Sequence, residues 1–123
     1  MNIKKLDKVF SKYIRLRDAD EIGMVKCCTC NSWYHWSEIH AGHYISRKCM
    51  ITRFDEDNVH GQCVICNILK DGQPERYREF LKEKYHTVMP DVLLSRSYTT
   101  VKFTQYEIDK MVEVYKEKIK NLQ

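Results

Sequence analysis

The residues best suited to chemistry crowd into the middle third of this 123-residue chain. Cys27/Cys30 and Cys63/Cys66 form two Cys-x-x-C pairs. A two-residue gap lets one turn present both sulfurs to a tetrahedral ion, and four thiolates close its shell so that no position is left for water. The set therefore predicts a structural Zn²⁺ rather than a catalytic one. Thiol–disulfide redox chemistry is the alternative, and two separate pairs argue against it. Cys27 and Cys28 compete as the first ligand; spacing favours Cys27, which leaves Cys28 and Cys49 as free thiols.

Around the cysteines stand His43 in the run Ala41-Gly42-His43-Tyr44, Asn58 in the run Asp57-Asn58-Val59-His60, and Asn67 directly after Cys66. Hydrolysis of a phosphodiester needs a base to activate water and a cation on the phosphate oxygens. A histidine that is neutral near pH 7 is a natural base. Carboxylate or amide oxygens hold a divalent ion while leaving positions for phosphate. The candidates are His43, Asn67, His60, His40 and the acids Asp55, Glu56 and Asp57. A single histidine on a strand is usually a packed residue, but here a zinc frame would bring His43 and Asn67 close. For His35 and His86 the packed reading stands.

The flanking segments must brace that block. Leu6, Val9, Phe10, Tyr13 and Ile14 repeat with the spacing of one helical face, which predicts a helix over 3–18 ending in the stretch up to Gly23. Met24-Val25-Lys26 reads as a strand entering the first cysteine pair, and 32–44 as one or two more. Trp33, Tyr34, Trp36 and Tyr44 read as core or zinc-site packing before base stacking. Residues 47–57 read as a polar loop anchored by Ile51 and Phe54. A helix begins inside the second pair and runs to about Lys70, where Asp71-Gly72 breaks it. Pro74 suits the first turn of another, with Tyr77, Phe80, Leu81 and Tyr85 on one side. Residues 86–101 show no pattern. Thr104 and Glu107 match a capping box that opens a last helix, striped by Ile108, Met111, Val112, Tyr115, Ile119 and Leu122. That stripe either folds back on the domain or pairs with a second copy.

The length fits one domain, read as an N-terminal helix (1–22), a zinc-stabilised core (23–72) and a helical C-terminal part (73–123). No leader with an apolar core and no long apolar run is present, which argues against secretion and membrane insertion. The net charge is +4, and the clusters matter more than the sum. Arg47, Lys48, Arg53 and Lys70 flank the candidate site and are the expected phosphate contacts. The cluster from Lys4 to Arg17 reads equally well as solvated helix surface.

The order Cys-x-x-C, His43, Asn58, Cys-x-x-C-Asn67 and then Lys70 resembles the zinc-containing HNH, or His-Me finger, endonucleases. More closely, Phe10 to Tyr85 resembles the phage NinG/Rap recombination endonucleases. The runs Arg17-Asp18-Ala19, Ala41 to Tyr44, Arg53-Phe54-Asp55 and Asn58 to Asn67 carry that likeness. The resemblance implies an α+β fold with a ββα-metal core and a four-cysteine zinc site, flanked by terminal helices. It implies His43 as the base, Asn67 as a ligand to Mg²⁺ or Mn²⁺, and Asn58 as the residue that pins the hairpin loop and orients His43. It also implies branched recombination intermediates, of the Holliday-junction or D-loop type, as substrate, and a phage protein working in the bacterial cytoplasm. Many HNH enzymes carry an acidic or histidine ligand directly before the base; here that residue is Gly42. His40, His60 or Asp57 are the available substitutes, and a site with more waters is another.

The leading expectation is a metal-dependent DNA endonuclease acting on branched or duplex DNA. The alternatives are a nickase without junction specificity and a zinc-stabilised nucleic-acid-binding module with a dead site. Paired cuts across a junction would suit a homodimer joined through the last helix.

Overall fold

The structure, a computed structural model, describes residues 3–123. Helix α1 (Ile3–Arg17) buries Leu6, Phe10 and Ile14 on one stripe. Gly23, at φ +84°, then turns the chain into β1 (Met24–Lys26), which pairs antiparallel with β2 (Trp33–His35). A second antiparallel pair joins β3 (His40–His43) to β4 (Val59–Gln62), with His40 opposite Gln62 and Gly42 opposite His60. The long connection between them holds a single helical turn, α2 (Met50–Arg53). A π-helical turn (Ile65–Leu69) follows β4, and then come α3 (Pro74–Lys84), α4 (Met89–Ser97) and α5 (Gln105–Leu122). The domain is mixed α+β with helices at both ends.

The β3–β4 hairpin is the hub because both its faces are covered. Alternation along the strands sends Ala41 and Val59 to one side, where they meet Leu6, Phe10, Ile108, Val112 and Tyr115 of α1 and α5. His60 points to the other side, against Tyr77 and Phe80 of α3. Phe10 stands edge-on to both Phe54 (5.6 Å) and Tyr115 (4.9 Å). Its truncation to alanine in so small a core would cost about 3–5 kcal/mol. A third cluster packs Val25, Ile39, Tyr34 and Trp36 around the cysteines.

A two-stranded hairpin leaves exposed backbone edges, and here side chains close the outer edge of β4. Asp18 accepts the Gly61 N–H at 2.8 Å, and Arg17 donates to the Val59 and Glu56 carbonyls at 2.8 and 2.9 Å. Arg17 is thus a brace rather than wet surface. Arg15 donates to the Trp36 carbonyl and lies over its ring.

Several elements differ from their sequence reading. The polar 47–57 loop contains α2, and Thr52 within it is fully buried. The turn after the second cysteine pair is wound as a π-helix, one residue wider per turn than an α-helix. Residues 89–97, which showed no pattern, form α4 through Met89, Pro90 and Leu93. The α5 stripe folds back onto α1, and both capping-box bonds form at 3.0 and 3.1 Å. Pairing with a second copy is therefore left to the outer face of α5, where Tyr106 and Val114 are exposed.

Candidate functional site

The sulfurs of Cys27, Cys30, Cys63 and Cys66 all lie within 4.8 Å of one another. A tetrahedron of Zn–S bonds spaces its sulfurs by roughly 3.8 Å, and Cys30 Sγ and Cys63 Sγ are 3.8 Å apart. Backbone N–H groups point at two of the sulfurs, although burial and the neighbouring Cys66 and Cys27 still push the Cys63 thiol up. The Cys63 N–H points at Cys27 Sγ (3.3 Å) and the Cys66 N–H at Cys63 Sγ (3.4 Å). Burial opposes a charge on Cys27, but these backbone N–H groups and the Thr29 hydroxyl outweigh it and lower that thiol. Four soft donors so arranged could hold a structural metal such as zinc. Cys28 is outside the set: it packs against Tyr77 and Leu81, and burial pushes its thiol up. The Cys49 thiol donates to the Ser97 carbonyl at 3.4 Å.

The cysteine frame fixes the start of the π-helical turn, and that turn carries Asn67. Wide turns of this kind recur at functional sites because they re-aim side chains. Between the turn, α1 and the start of β3 opens a cleft of ≈ 660 Å³, lined among others by Asp7, His40, His43, Asn67, Asp71 and Gly72. Gly72, at φ +84°, sits between Asp71 and Gln73, which also hold positive φ, so the chain reverses sharply beneath the cleft.

His43 ends β3, half-buried. Its Nε2 lies 2.9 Å from the Arg53 carbonyl. A carbonyl only accepts, so Nε2 carries the proton and the lone pair resides on Nδ1, which makes no hydrogen bond among the described residues. Burial lowers the His43 pKa below its ordinary 6.5; the Arg53 carbonyl and Asp7 pull it up, and Arg47 and Arg53 push it further down. The ring is neutral at pH 7, with one open nitrogen.

The Arg53 carbonyl is itself held by the loop that Asn58 closes. Fully buried Asn58 accepts the Ile45 N–H at 2.7 Å and donates to the Ile45 and Thr52 carbonyls at 3.1 and 3.0 Å. Asn67 Nδ2 lies 3.1 Å from His40 Nδ1. On β3, a Cβ built on Gly42 would run into Gln62 Oε1 and Cβ, so the buried glutamine occupies the volume of a side chain at position 42. That oxygen is a buried side-chain atom without a hydrogen-bond partner, an arrangement that costs about 1–3 kcal/mol.

Other expected ligands and contacts are corrected by the geometry. His60 is excluded as a ligand: it is buried, Nδ1 meets the Tyr77 hydroxyl (3.1 Å) and Nε2 the Tyr85 hydroxyl (2.8 Å). Burial, helped by Arg17, drives its pKa down to about 3. Asp55 and Asp57 are bound by Arg96 at 2.9 and 3.0 Å. Glu56 is taken by Tyr13, Tyr115 and Lys118. Arg53, expected as a phosphate contact, is largely buried and pairs with Asp7. Arg47 reaches the same carboxylate at 3.1 Å from an exposed position, and Lys48 and Lys70 are exposed.

Two acids of the cleft escaped the sequence reading. Asp71 follows Asn67 by four residues, a helical spacing that could have found it. Asp7 is the one acid in a basic first helix, and its neighbours Leu6 and Phe10 place it on the flank of the buried stripe.

The comparisons agree on one family. Residues 1–123 match the family described as bacteriophage lambda NinG protein. The chain is 33% identical to protein ninG of Salmonella phage P22 over 121 residues, 98% of this chain and 57% of that relative. It is 32% identical to protein ninG of Escherichia phage 933W with the same coverage. Against protein ninG of Escherichia phage lambda it is 31% identical, over 98% of this chain and 56% of the relative. The chain thus spans a little over half the length of these curated relatives. No solved structure matches. No helix among the described residues is long and apolar enough to cross a membrane. Matched from end to end, the chain belongs to the bacteriophage lambda NinG protein family.

Proposed function

We propose that the chain is a metal-dependent DNA endonuclease of the HNH kind, built on a zinc-held ββα unit of β3, β4 and the turn bearing Asn67. The observation that carries this reading is the state of His43: neutral, committed at Nε2 to a backbone carbonyl, and open at Nδ1 in a cleft shared with Asn67. In that role Nδ1 takes the proton of the attacking water. Asn58 acts through the loop it closes, since that loop carries the carbonyl that orients the ring. Asn67, through Oδ1, and His40, once its Nδ1 is released from the Asn67 N–H, would hold Mg²⁺ or Mn²⁺, and the ion would serve to neutralise charge on the phosphate oxygens. An amide oxygen is the hard donor such an ion takes, the imidazole is the softer of the two ligands, and waters would complete the shell. Arg47, Lys48 and Lys70 supply exposed positive charge for the DNA backbone. The likeness to the NinG/Rap recombination endonucleases supports branched DNA as the substrate, and cutting both arms of a junction calls for two copies.

Gly42 favours a second reading, a zinc-stabilised DNA-binding module without catalysis. One experiment separates the two. Purified protein and its His43→Ala variant are incubated with four-way junction, linear duplex and single strand, in Mg²⁺, Mn²⁺ or chelator. Metal-dependent cutting that vanishes in the variant supports the nuclease, and the preferred DNA identifies the substrate. Salt-sensitive binding without cutting supports the module.

A further inference from the structure

We infer that Gln62 supplies, through Oε1, the oxygen donor to the divalent ion that Gly42 lacks. The inference rests on the nuclease reading and extends its site. Four observations meet at this side chain. Its oxygen is buried and has no partner, whereas its Nε2 donates to the Gly72 carbonyl (2.8 Å) and lies 3.1 Å from Thr29 Oγ1. The Gly72 carbonyl accepts only, so the amide cannot be turned round, and Oε1 is the end left over. That oxygen fills the space a side chain at position 42 would enter. Finally, His40 stands directly opposite Gln62 in the hairpin; its Nδ1 is 3.1 Å from Asn67, and Gly72 lines the same cleft as both.

The chemistry suits the place. An amide oxygen is a hard neutral donor of the type that Mg²⁺ and Mn²⁺ accept. Donors from Gln62, Asn67 and His40 bring no negative charge, so the ion should bind weakly alone and more tightly once a DNA phosphate joins it. The glycine then follows from the glutamine: positions 42 and 62 share one volume, and the donor comes from one strand or the other.

The test uses zinc-loaded protein and reads Mn²⁺ affinity from the electron paramagnetic resonance of free Mn²⁺, alongside junction cutting. His43→Ala should keep the wild-type affinity and lose cutting. Gln62→Met should weaken Mn²⁺ binding on the order of tenfold. Gly42→Asp combined with Gln62→Gly, which also removes the Gln62 Cβ that would stand 2.7 Å from a Cβ at position 42, moves the donor to the neighbouring strand and should restore it. Because Gln62 also braces Gly72, zinc content and melting are recorded for each variant. The wild type provides an independent readout: on Mg²⁺ titration the Gln62 side-chain NH₂ signals should shift in ¹⁵N spectra together with those of Asn67. Wild-type cutting and Mn²⁺ binding with an unmoved Gln62 signal, or with unchanged affinity in folded Gln62→Met, would overturn the inference and leave the nuclease intact. A wild type that neither binds Mn²⁺ nor cuts would instead remove the nuclease reading and this inference with it.

Discussion

His43 and His60 belong to one hairpin, a strand apart, and share residue type and a depressed pKa, though only His60 is fully buried. Their surroundings give them opposite uses. On the α3 side two tyrosine hydroxyls take both nitrogens of His60, so that ring is a cross-link holding a helix to the sheet. On the cleft side a single carbonyl takes one nitrogen of His43, so that ring is oriented and still reactive. Titration alone would rank His60 as the more perturbed residue and hence the stronger site candidate. What separates the proposed base from the brace is an uncommitted lone pair, not the size of the shift.

The comparison can be broken at several points. Cys63→Ser should do the greatest damage, because both sides of the hairpin depend on the frame. Zinc binding to small domains is worth about 10–16 kcal/mol, comparable to a whole domain's stability, so loss of the folded circular-dichroism signal and of bound zinc is expected. His43→Ala should lower cutting by about 10²–10⁴ while leaving the urea midpoint nearly unchanged. His60→Ala should show the reverse. Two tyrosine hydroxyls lose their partner and a cavity opens, at a cost of about 2–4 kcal/mol of stability, with cutting kept by the folded fraction.

Finer effects sharpen the contrast. The proposed base, His43, would have to be neutral, and burial holds its pKa below 6.5. The rate should therefore be flat through pH 7 and fall only on acidification past 6.5. Asp7→Asn removes a charge that raises this pKa, while Arg47 and Arg53 continue to lower it, so the acid limb should move to still lower pH. A limb that rises instead would mean another group is the base. Lys70→Ala should be the mildest change, reducing the salt slope of DNA binding by about one without altering the single-turnover rate.

Legibility from sequence followed the reach of each constraint. The Cys-x-x-C pairs, the α1 and α5 stripes and the Thr104 cap are local patterns that carry their own geometry, and they place the helices and the cysteine set. His40, His43 and Asn67 do reach one cleft, because the frame that gathers them is itself written in spacing. What spacing could not show is which neighbours consume a polar group. The tyrosines around His60 come from α3 and from the residue after it, Asp55 and Asp57 are claimed by Arg96 of α4, and Arg53 is claimed by Asp7 of α1. Helix α4 was hidden because Val92-Leu93-Leu94 runs together in sequence while only Leu93 of the three is buried. The π-helical winding after Cys63 has no distinct residue signature.

The pairing of α1 with α5 has a consequence for how the chain is made. Tyr115, on which Phe10 rests edge-on, is synthesised on the order of ten seconds after it. Until then Leu6, Phe10 and Ile14 form an apolar stripe with no cover, on a helix that is otherwise highly basic. The cysteine frame can close well before that moment, since Cys66 precedes α5 by many residues. A nascent chain therefore passes through a period with its four clustered cysteines already made and its first helix still unsheltered. Proteolysis or premature termination before α5 would yield a fragment that keeps all four clustered cysteines yet uncovers the side of the hairpin on which Val59 lies.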